Sequence, residues 1–435
     1  MSASKPVGIR LNRKKEASLI NWNLKRPLQP EKVCIPVPAT AFPCVREREE
    51  IRPGQAIAVP AGPGCATVHA SMFGIVEQIA PMMNAFGNEC MMIKIRRYGE
   101  PKAAPAFSDF RKNWESIPGE ELLEIFQNSG LVTTDPSMQP VHAKIKAKSS
   151  AQTILINGCE PEPYITCEQV LTLSHPLEIL KGADLLKKAA GAVKILFVLE
   201  DCNSELIELI KSKIYFLKWN HVEVRTVPAI YPQGLESLLI QNWFLGKEDQ
   251  AVVFPTSAAF AAYEAVVHQK PFYERVVTVG GECVVEPRSL WLPLGVSLHE
   301  AFMACKGLMR EPGRVIMGGP MAGTSQVSLE VPVEAGTSAI LALPKETVSE
   351  ATGGPCIRCN LCVDLCPVSI SPAMITLASE QKEIEITEEW SVPECIECGN
   401  CGYVCPSKRP MLELIRVARH RLKKQMLREK TMVSR

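Results

Sequence analysis

The stretch Cys356-Ile-Arg-Cys359-Asn-Leu-Cys362-Val-Asp-Leu-Cys366-Pro367 recurs with the same spacing as Cys395-Ile-Glu-Cys398-Gly-Asn-Cys401-Gly-Tyr-Val-Cys405-Pro406. Both copies follow C-x2-C-x2-C-x3-C-P, the bacterial ferredoxin spacing. A tight loop of this kind presents three thiolates to one face of an iron–sulfur cubane. The fourth cysteine lies on the next helical turn, and in two-cluster ferredoxins it ligates the other cluster. The spacing therefore predicts one [4Fe–4S] cluster on Cys356, Cys359, Cys362 and Cys405, and another on Cys395, Cys398, Cys401 and Cys366. Pro367 and Pro406 stop the helix beyond the last ligand. Structural zinc is the competing reading. Zinc sites use paired C-x2–4-C units, often with histidine, and do not need the third and fourth cysteines at this offset. No histidine lies between Cys356 and Cys405. Two clusters in series form a wire without a substrate pocket, so the rest of the chain must explain what feeds them.

The whole chain has 435 residues, room for roughly three domains. Its formal charge of +1 argues against a nucleic-acid or membrane binder by net charge. Eight of the seventeen cysteines fall in the two runs, and the other nine are scattered from Cys34 to Cys305. The first residues, MSASKPVGIRLNRKKEASL, lack an apolar signal core, and no charge-free stretch reaches about 18 apolar residues. The expectation is a cytoplasmic protein with reduced thiols, meeting a membrane only through partners.

Working back from the cysteines, the chain divides into segments of different pattern. Residues 1–31 read as a basic, solvated tail, with Arg13, Lys14 and Lys15 in a run. Residues 32–100 alternate short β-type runs with Pro/Gly turns, the pattern of a small β domain. A Pro/Ala-rich link follows at 101–107. Over 115–270, strands at 153–157, 193–199, 222–227 and 251–254 alternate with helices at 176–190, 203–213, 234–243 and 257–267. This predicts an α/β domain with a largely parallel sheet. Residues 272–345 read as a small α+β module, 350–410 as the two-cluster domain, and 411–435 as a basic helix that docks on a partner or solvates.

The order of several motifs resembles a known family. VHASMFGIVEQI (Val68–Ile79), INGCEPEPYITCE (Ile156–Glu168), YPQGLESLL (Tyr231–Leu239), RVVTVGG (Arg275–Gly281), MGGPMAG (Met317–Gly323) and the cysteine runs are similar to the RnfC subunit of Rnf-type (Rsx) electron transport complexes. The resemblance runs from about residue 32 to 410. It implies a barrel-sandwich hybrid related to biotinyl and lipoyl domains at 32–100, and a domain like the complex I NADH-oxidising flavin subunit at 115–270. It further implies a soluble-ligand-binding β-grasp module at 272–345 and a helical two-cluster ferredoxin domain. The family subunit binds FMN, meets NAD(H), and works with membrane subunits and ferredoxin to couple electron flow to ion movement. By resemblance, this chain would sit peripherally on the inner face of the cell membrane, held by the other subunits.

The family's flavin loop reads roughly G-I-V-G-x-G-G-A-G-F-P-T-H-x-K-L. Here Gly130, Pro140, His142 and Lys144 keep the register, but Thr133, Asp135, Pro136 and Met138 replace glycines. Such loops hold phosphate with backbone N–H groups that glycine lets approach closely, and Pro136 has no N–H to offer. Asp135 places negative charge where a phosphate would rest. These losses argue against FMN binding. Lys144, Glu160 and Glu162 match family positions near flavin and nicotinamide; they could equally be an exposed lysine and two glutamates of a proline-shaped surface turn. His69 reads as surface or packing, and Tyr231–Gly234 as a structural turn. No lysine lies in the V-H-A-S-M turn, so covalent biotin or lipoate is not expected. Three readings follow: a two-cluster relay to ferredoxin or another subunit without its own NADH site, an FMN-dependent NADH oxidoreductase, or a scaffold whose clusters are structural.

Overall fold

The computed structural model describes residues 7–20, 23–24, 30–99, 111–348 and 353–433. The link at 101–107 lies outside them. The first β domain contains β1 (Lys32–Val37), β2 (Ala41–Pro43), β3 (Glu50–Ile51), β4 (Ala56–Pro60), β5 (Val68–His69), β6 (Gly74–Met83) and β7 (Glu89–Arg96). They form two facing sheets, β1-β7-β6-β3 and β2-β4-β5, the barrel-sandwich arrangement. Alternation along β1 turns Val33, Ile35 and Val37 inward, as a half-buried strand requires.

The α/β domain follows with α2 (Gly119–Asn128), α3 (Val141–Lys146), β8 (Thr153–Asn157), α4 (Cys167–Ser174) and α5 (Pro176–Ala190), the short helix α1 (Glu16–Leu19) having come first in the chain. It continues with β9 (Lys194–Glu200), α6 (Ser204–Leu217), β10 (Val222–Val227), α7 (Glu236–Phe244), β11 (Ala251–Pro255) and α8 (Thr256–Val267). All neighbours in its sheet, β10-β9-β8-β11, run parallel. Pro176 opens α5 at a position that needs no N–H, and Gly191 at φ 64 closes it. Gly182 lets α5 lie directly on the Ala259 carbonyl of α8, where any Cβ would collide.

The third unit has β12 (Glu274–Gly280), β13 (Arg288–Pro293), α9 (Leu298–Ala304), β14 (Arg314–Met317), β15 (Thr324–Gln326) and β16 (Ala339–Leu343) in the order β13-β12-β16-β14-β15. Its parallel central pair, β12 and β16, is flanked by antiparallel strands, a β-grasp-like mixed sheet. One apolar core joins Val33 and Ile35 of the barrel to Val277 and Phe302 of this module. Another joins its Trp291 and Leu341 to the α/β domain.

The cysteine domain is built from α10 (Leu361–Asp364), α11 (Pro372–Gln381), α12 (Ile384–Glu389), α13 (Asn400–Val404) and α14 (Met411–Val433). The basic helix α14 packs one apolar face within the chain rather than solvating wholly. Met411, Ile415, Ala418 and Leu422 recur at helical spacing and are buried beside Ile375 of α11. Arg421 donates to the Ser379 carbonyl at 2.9 Å.

The described part of the N-terminal segment departs from the solvated tail expected of it. Lys15 is buried and its Nζ donates to the Glu160 carbonyl at 2.6 Å. Arg13 pairs with buried Glu200 at 2.5 Å, and Lys14 reaches Glu282 and Tyr164. Ile9 pairs with Tyr231 as a short antiparallel bridge. The basic run is a strap across the α/β domain and the β-grasp-like module. Its positive charges find the buried Glu200, the half-buried Glu282 and the Glu160 carbonyl far along the chain, which no local pattern encodes.

Candidate redox centre

The two cysteine runs share one backbone design. Left-handed conformations occur at Arg358 and Asn360 in the first and at the matching Glu397 and Gly399 in the second. Each loop is thus curled around its middle cysteine, and each enters a short helix, α10 or α13, that carries the third. Asn400 ties the two helices together by donating from Nδ2 to the Leu365 carbonyl at 3.3 Å.

The thiols stand around two voids. Cys356, Cys359, Cys362 and Cys405 line a cavity of about 410 Å³, walled also by Met374, Leu377 and Met411. Cys366, Cys395, Cys398 and Cys401 line a tighter one of about 20 Å³, with Cys362 between the two. The fourth cysteine of each run therefore faces the cavity of the other run. Among the described residues no three His, Cys, Asp or Glu side chains converge tightly enough to hold a single metal ion. Burial pushes the Cys398 thiol up to about 12 and raises Cys362, Cys395 and Cys401 as well. A bound metal group would displace the protons of these thiols, which go to solvent as the thiolates form. The grouping of four cysteines in each of two sets and their apolar surroundings fit two iron–sulfur clusters.

The two sides differ in exposure. Cys359 is exposed, and Ile357 and Leu361 beside it are open to solvent. Cys398 and Cys401 are buried and face the interior. There the Tyr231 hydroxyl donates to the Cys398 carbonyl, and Gly399 lies against the Met321 carbonyl with no room for a Cβ. Arg416 of α14 bridges Glu397 at 2.8 Å and the Ala322 carbonyl at 2.6 Å. The loop Met317–Gly323 is thus the seat of the second run. The contact of its Met321 carbonyl with Gly399 joins residues far apart in the chain, and no local pattern in the sequence encodes it.

The α/β domain has the topology of a nucleotide-binding sheet. Its strand order reverses between β8 and β11, and ligands of such sheets lie beyond the carboxyl ends of the strands at that point. Here that crevice is filled from within. The Glu168 carboxylate accepts from the Ser257 N–H at 2.7 Å and from the hydroxyls of Thr256 and Ser257 at 2.5 Å, capping α8. Thr134 bonds Ser257 at 2.5 Å, and its carbonyl accepts from Arg275, which is 1% exposed. Gly336 of the β-grasp-like module packs on the loop so closely that a Cβ would stand 2.8 Å from the Asp135 carbonyl.

The three residues expected near a flavin each have another partner, and the structure does not gather them on one ligand. Lys144 is buried and paired with Glu236 at 2.8 Å. Burial raises the Glu236 carboxyl and nearby Asp135 raises it further, while the paired Lys144 lowers it. Glu160 caps α4, accepting from the N–H groups of Glu168 and Gln169 at 2.8 and 3.0 Å. Glu162 accepts from the N–H groups of Met321 and Ala322 at 2.7 and 3.3 Å. These residues do not fit FMN. His69, read as surface or packing, is buried, and Tyr231 is a buried anchor within its turn.

Comparison with known proteins agrees with this architecture. Residues 4–100 match the RnfC barrel sandwich hybrid domain, 126–267 the Nuo51 FMN-binding domain, and 350–406 the 4Fe-4S dicluster domain. The chain is 31% identical to the C subunit of the proton-translocating ferredoxin:NAD(+) oxidoreductase complex of Clostridium ljungdahlii, covering 89% of this chain and 87% of that one. It is 30% identical to the Na(+)-translocating counterpart of Acetobacterium woodii, covering 91% of each. An NAD+-reducing [NiFe]-hydrogenase in the H2-reduced state shares the fold with a TM-score of 0.50 at 16% identity, over 74% of this chain and 65% of that one. Among the described residues no helix is long and apolar enough to cross a membrane. With this fold, these three domains and these relatives, the chain belongs to the RnfC family, the C subunits of ion-translocating ferredoxin:NAD+ oxidoreductase complexes.

Proposed function

We propose that this chain relays single electrons between protein partners of an Rnf-type complex, through two [4Fe–4S] clusters and without an FMN or NADH site of its own. One cluster is held by Cys356, Cys359, Cys362 and Cys405, the other by Cys395, Cys398, Cys401 and Cys366. Bound clusters supply one-electron exchange at little structural cost. The chain's residues do the rest. The exposed side of Cys359 offers access to a partner, while Tyr231, Met321 and Arg416 fix the second run against the α/β domain and the β-grasp-like module. Partners hold the chain peripherally at the inner face of the membrane.

The observation that carries this reading is the pair of cysteine-lined voids beside a nucleotide crevice occupied by Glu168, Thr134 and Arg275. Anaerobically purified protein should contain iron and sulfide but release no flavin on denaturation. Reduced ferredoxin should bleach its visible absorption and NADH should not. Stoichiometric FMN, with bleaching by NADH, would replace this reading by that of a flavin-dependent NADH oxidoreductase, which the match of 126–267 to an FMN-binding domain favours.

A further inference from the structure

Away from the two cysteine runs, sulfur atoms of the barrel converge on one face of its larger sheet. Val33, Ile35 and Val37 turn into the barrel core from β1, so Cys34 points the other way. On the neighbouring strand β7, Lys94 stands opposite Cys34 and Met92 opposite Pro36. On β6, Ala80 stands opposite Met92 and Met82 opposite Cys90. Residues that pair across strands, or lie two apart along one, share a face. Cys34, Met82, Cys90 and Met92 therefore lie on one surface of three adjacent strands. Three of the side chains meet there: the Cys34 thiol stands 3.3 Å from Met92 Sδ and 3.9 Å from Met82 Sδ.

Burial grades the group from floor to mouth. Met92 is buried, while Cys34, Met82 and Cys90 are half-buried and leave it open to solvent. Burial and nearby Cys90 raise the Cys34 thiol, and Lys94 and Lys32 lower it. Both lysines already have partners, Lys94 with Glu77 at 2.7 Å and Lys32 with Glu330 at 2.6 Å. Among the described residues, no carboxylate or imidazole acts on the Cys34 thiol, so the donors gathered here are sulfurs.

We propose that this group binds one copper(I) ion through the Cys34 thiolate and the Met82 and Met92 thioethers, with Cys90 beside them. One thiolate with two thioethers is a soft donor set of the kind that takes copper(I). Structural zinc instead gathers four ligands, chiefly thiolates and imidazoles. Metal–sulfur bonds of about 2.3 Å in a three-coordinate plane set the sulfurs about 4 Å apart. The contact to Met82 already meets that spacing. Met92, unbranched and with three rotatable bonds, has to give by less than about 1 Å. The Cys34 proton goes to solvent as the copper–sulfur bond forms, and no electron is transferred. Thiolate and copper(I) together form a neutral centre, which a half-buried place tolerates better than a bare charge.

The test uses the full, iron-loaded chain under anaerobic conditions. Copper(I) is titrated in as its bicinchoninate complex with the chelator in excess, which keeps single exposed thiols such as Cys44 and Cys202 from holding it. After gel filtration, copper and iron are assayed together. Uptake should saturate at one copper per chain with the iron unchanged. Copper K-edge absorption should show sulfur neighbours at about 2.3 Å and no nitrogen or oxygen. Cys34→Ser should abolish uptake. Met82→Leu and Met92→Leu keep the apolar volume and should each weaken the affinity about tenfold or more, so they decide the matter should Cys34→Ser fail to fold. No uptake by the parent, undiminished uptake by Cys34→Ser or by both methionine variants, iron lost in step with copper gained, or nitrogen or oxygen neighbours would overturn the proposal.

Discussion

The Tyr231 hydroxyl donates to the Cys398 carbonyl at 2.5 Å, and both residues are buried. The same tyrosine pairs through its backbone with Ile9 of the N-terminal strap. One residue therefore joins the strap, the α/β domain and the second cysteine run. Tyr231→Phe keeps the ring and removes the donor, which should cost about 1 kcal/mol. Chelator-driven iron loss, followed by visible absorption, should accelerate for half of the iron only. Equal acceleration of both halves would contradict a local role at the second run.

Cys359→Ser and Cys398→Ser should each lower the iron content by roughly half, since each removes one ligand of one [4Fe–4S] cluster. Their effects on folding should differ. Cys359 is exposed, and its substitution should leave thermal unfolding almost unchanged. Cys398 is buried beneath Tyr231, and its loss should lower the unfolding temperature measurably. Iron assays paired with thermal melts check both parts.

Restoring glycine at Thr133, Asp135, Pro136 and Met138 together should not create a flavin site. Glu168 still occupies the crevice, Arg275 still holds the loop carbonyl, and Lys144 still faces Glu236. Fluorescence of FMN retained after gel filtration should stay at background. Stoichiometric retention would show that the lost glycines alone were the obstacle.

His69 is lowered from its ordinary 6.5 to about 4 by burial. Between those values the unfolded chain binds more protons at this position than the folded one, so stability rises with pH. The contribution is fully present above pH 6.5 and is lost as the pH falls through 4, amounting to about 3 kcal/mol. His69→Gln should flatten this limb. Denaturant melts of both forms between pH 7 and 5 give the difference, with cluster acid-lability cancelling between them.

The eight cysteines and the strand–helix alternation of the α/β domain were legible because both are local. Thiol spacing fixes a loop, and apolar period fixes an element; the helix expected at 176–190 forms over Pro176–Ala190. Helix α4 was not legible, since Cys167–Ser174 follows a proline-rich turn and owes its start to Glu160, whose carboxylate supplies its cap. The strap was misread because Arg13, Lys14 and Lys15 resemble any solvated basic run until Glu200, Glu282 and the Glu160 carbonyl are brought to them. Lys144, Glu160 and Glu162 kept their places in the motif, but their partners come from Glu236, α4 and the Met317–Gly323 loop, contacts that only the folded chain supplies.

The strap has a consequence for biosynthesis. Lys15 and Ser18 leave the ribosome well before their seats, the Glu160 carbonyl and the Thr166 hydroxyl, which appear some 145 residues afterwards, and Lys14 waits for Glu282. Closing so long a loop is slow relative to local folding. Residues made early are therefore among the last to be locked, and a nascent chain stalled before Glu282 would leave that basic run unpaired.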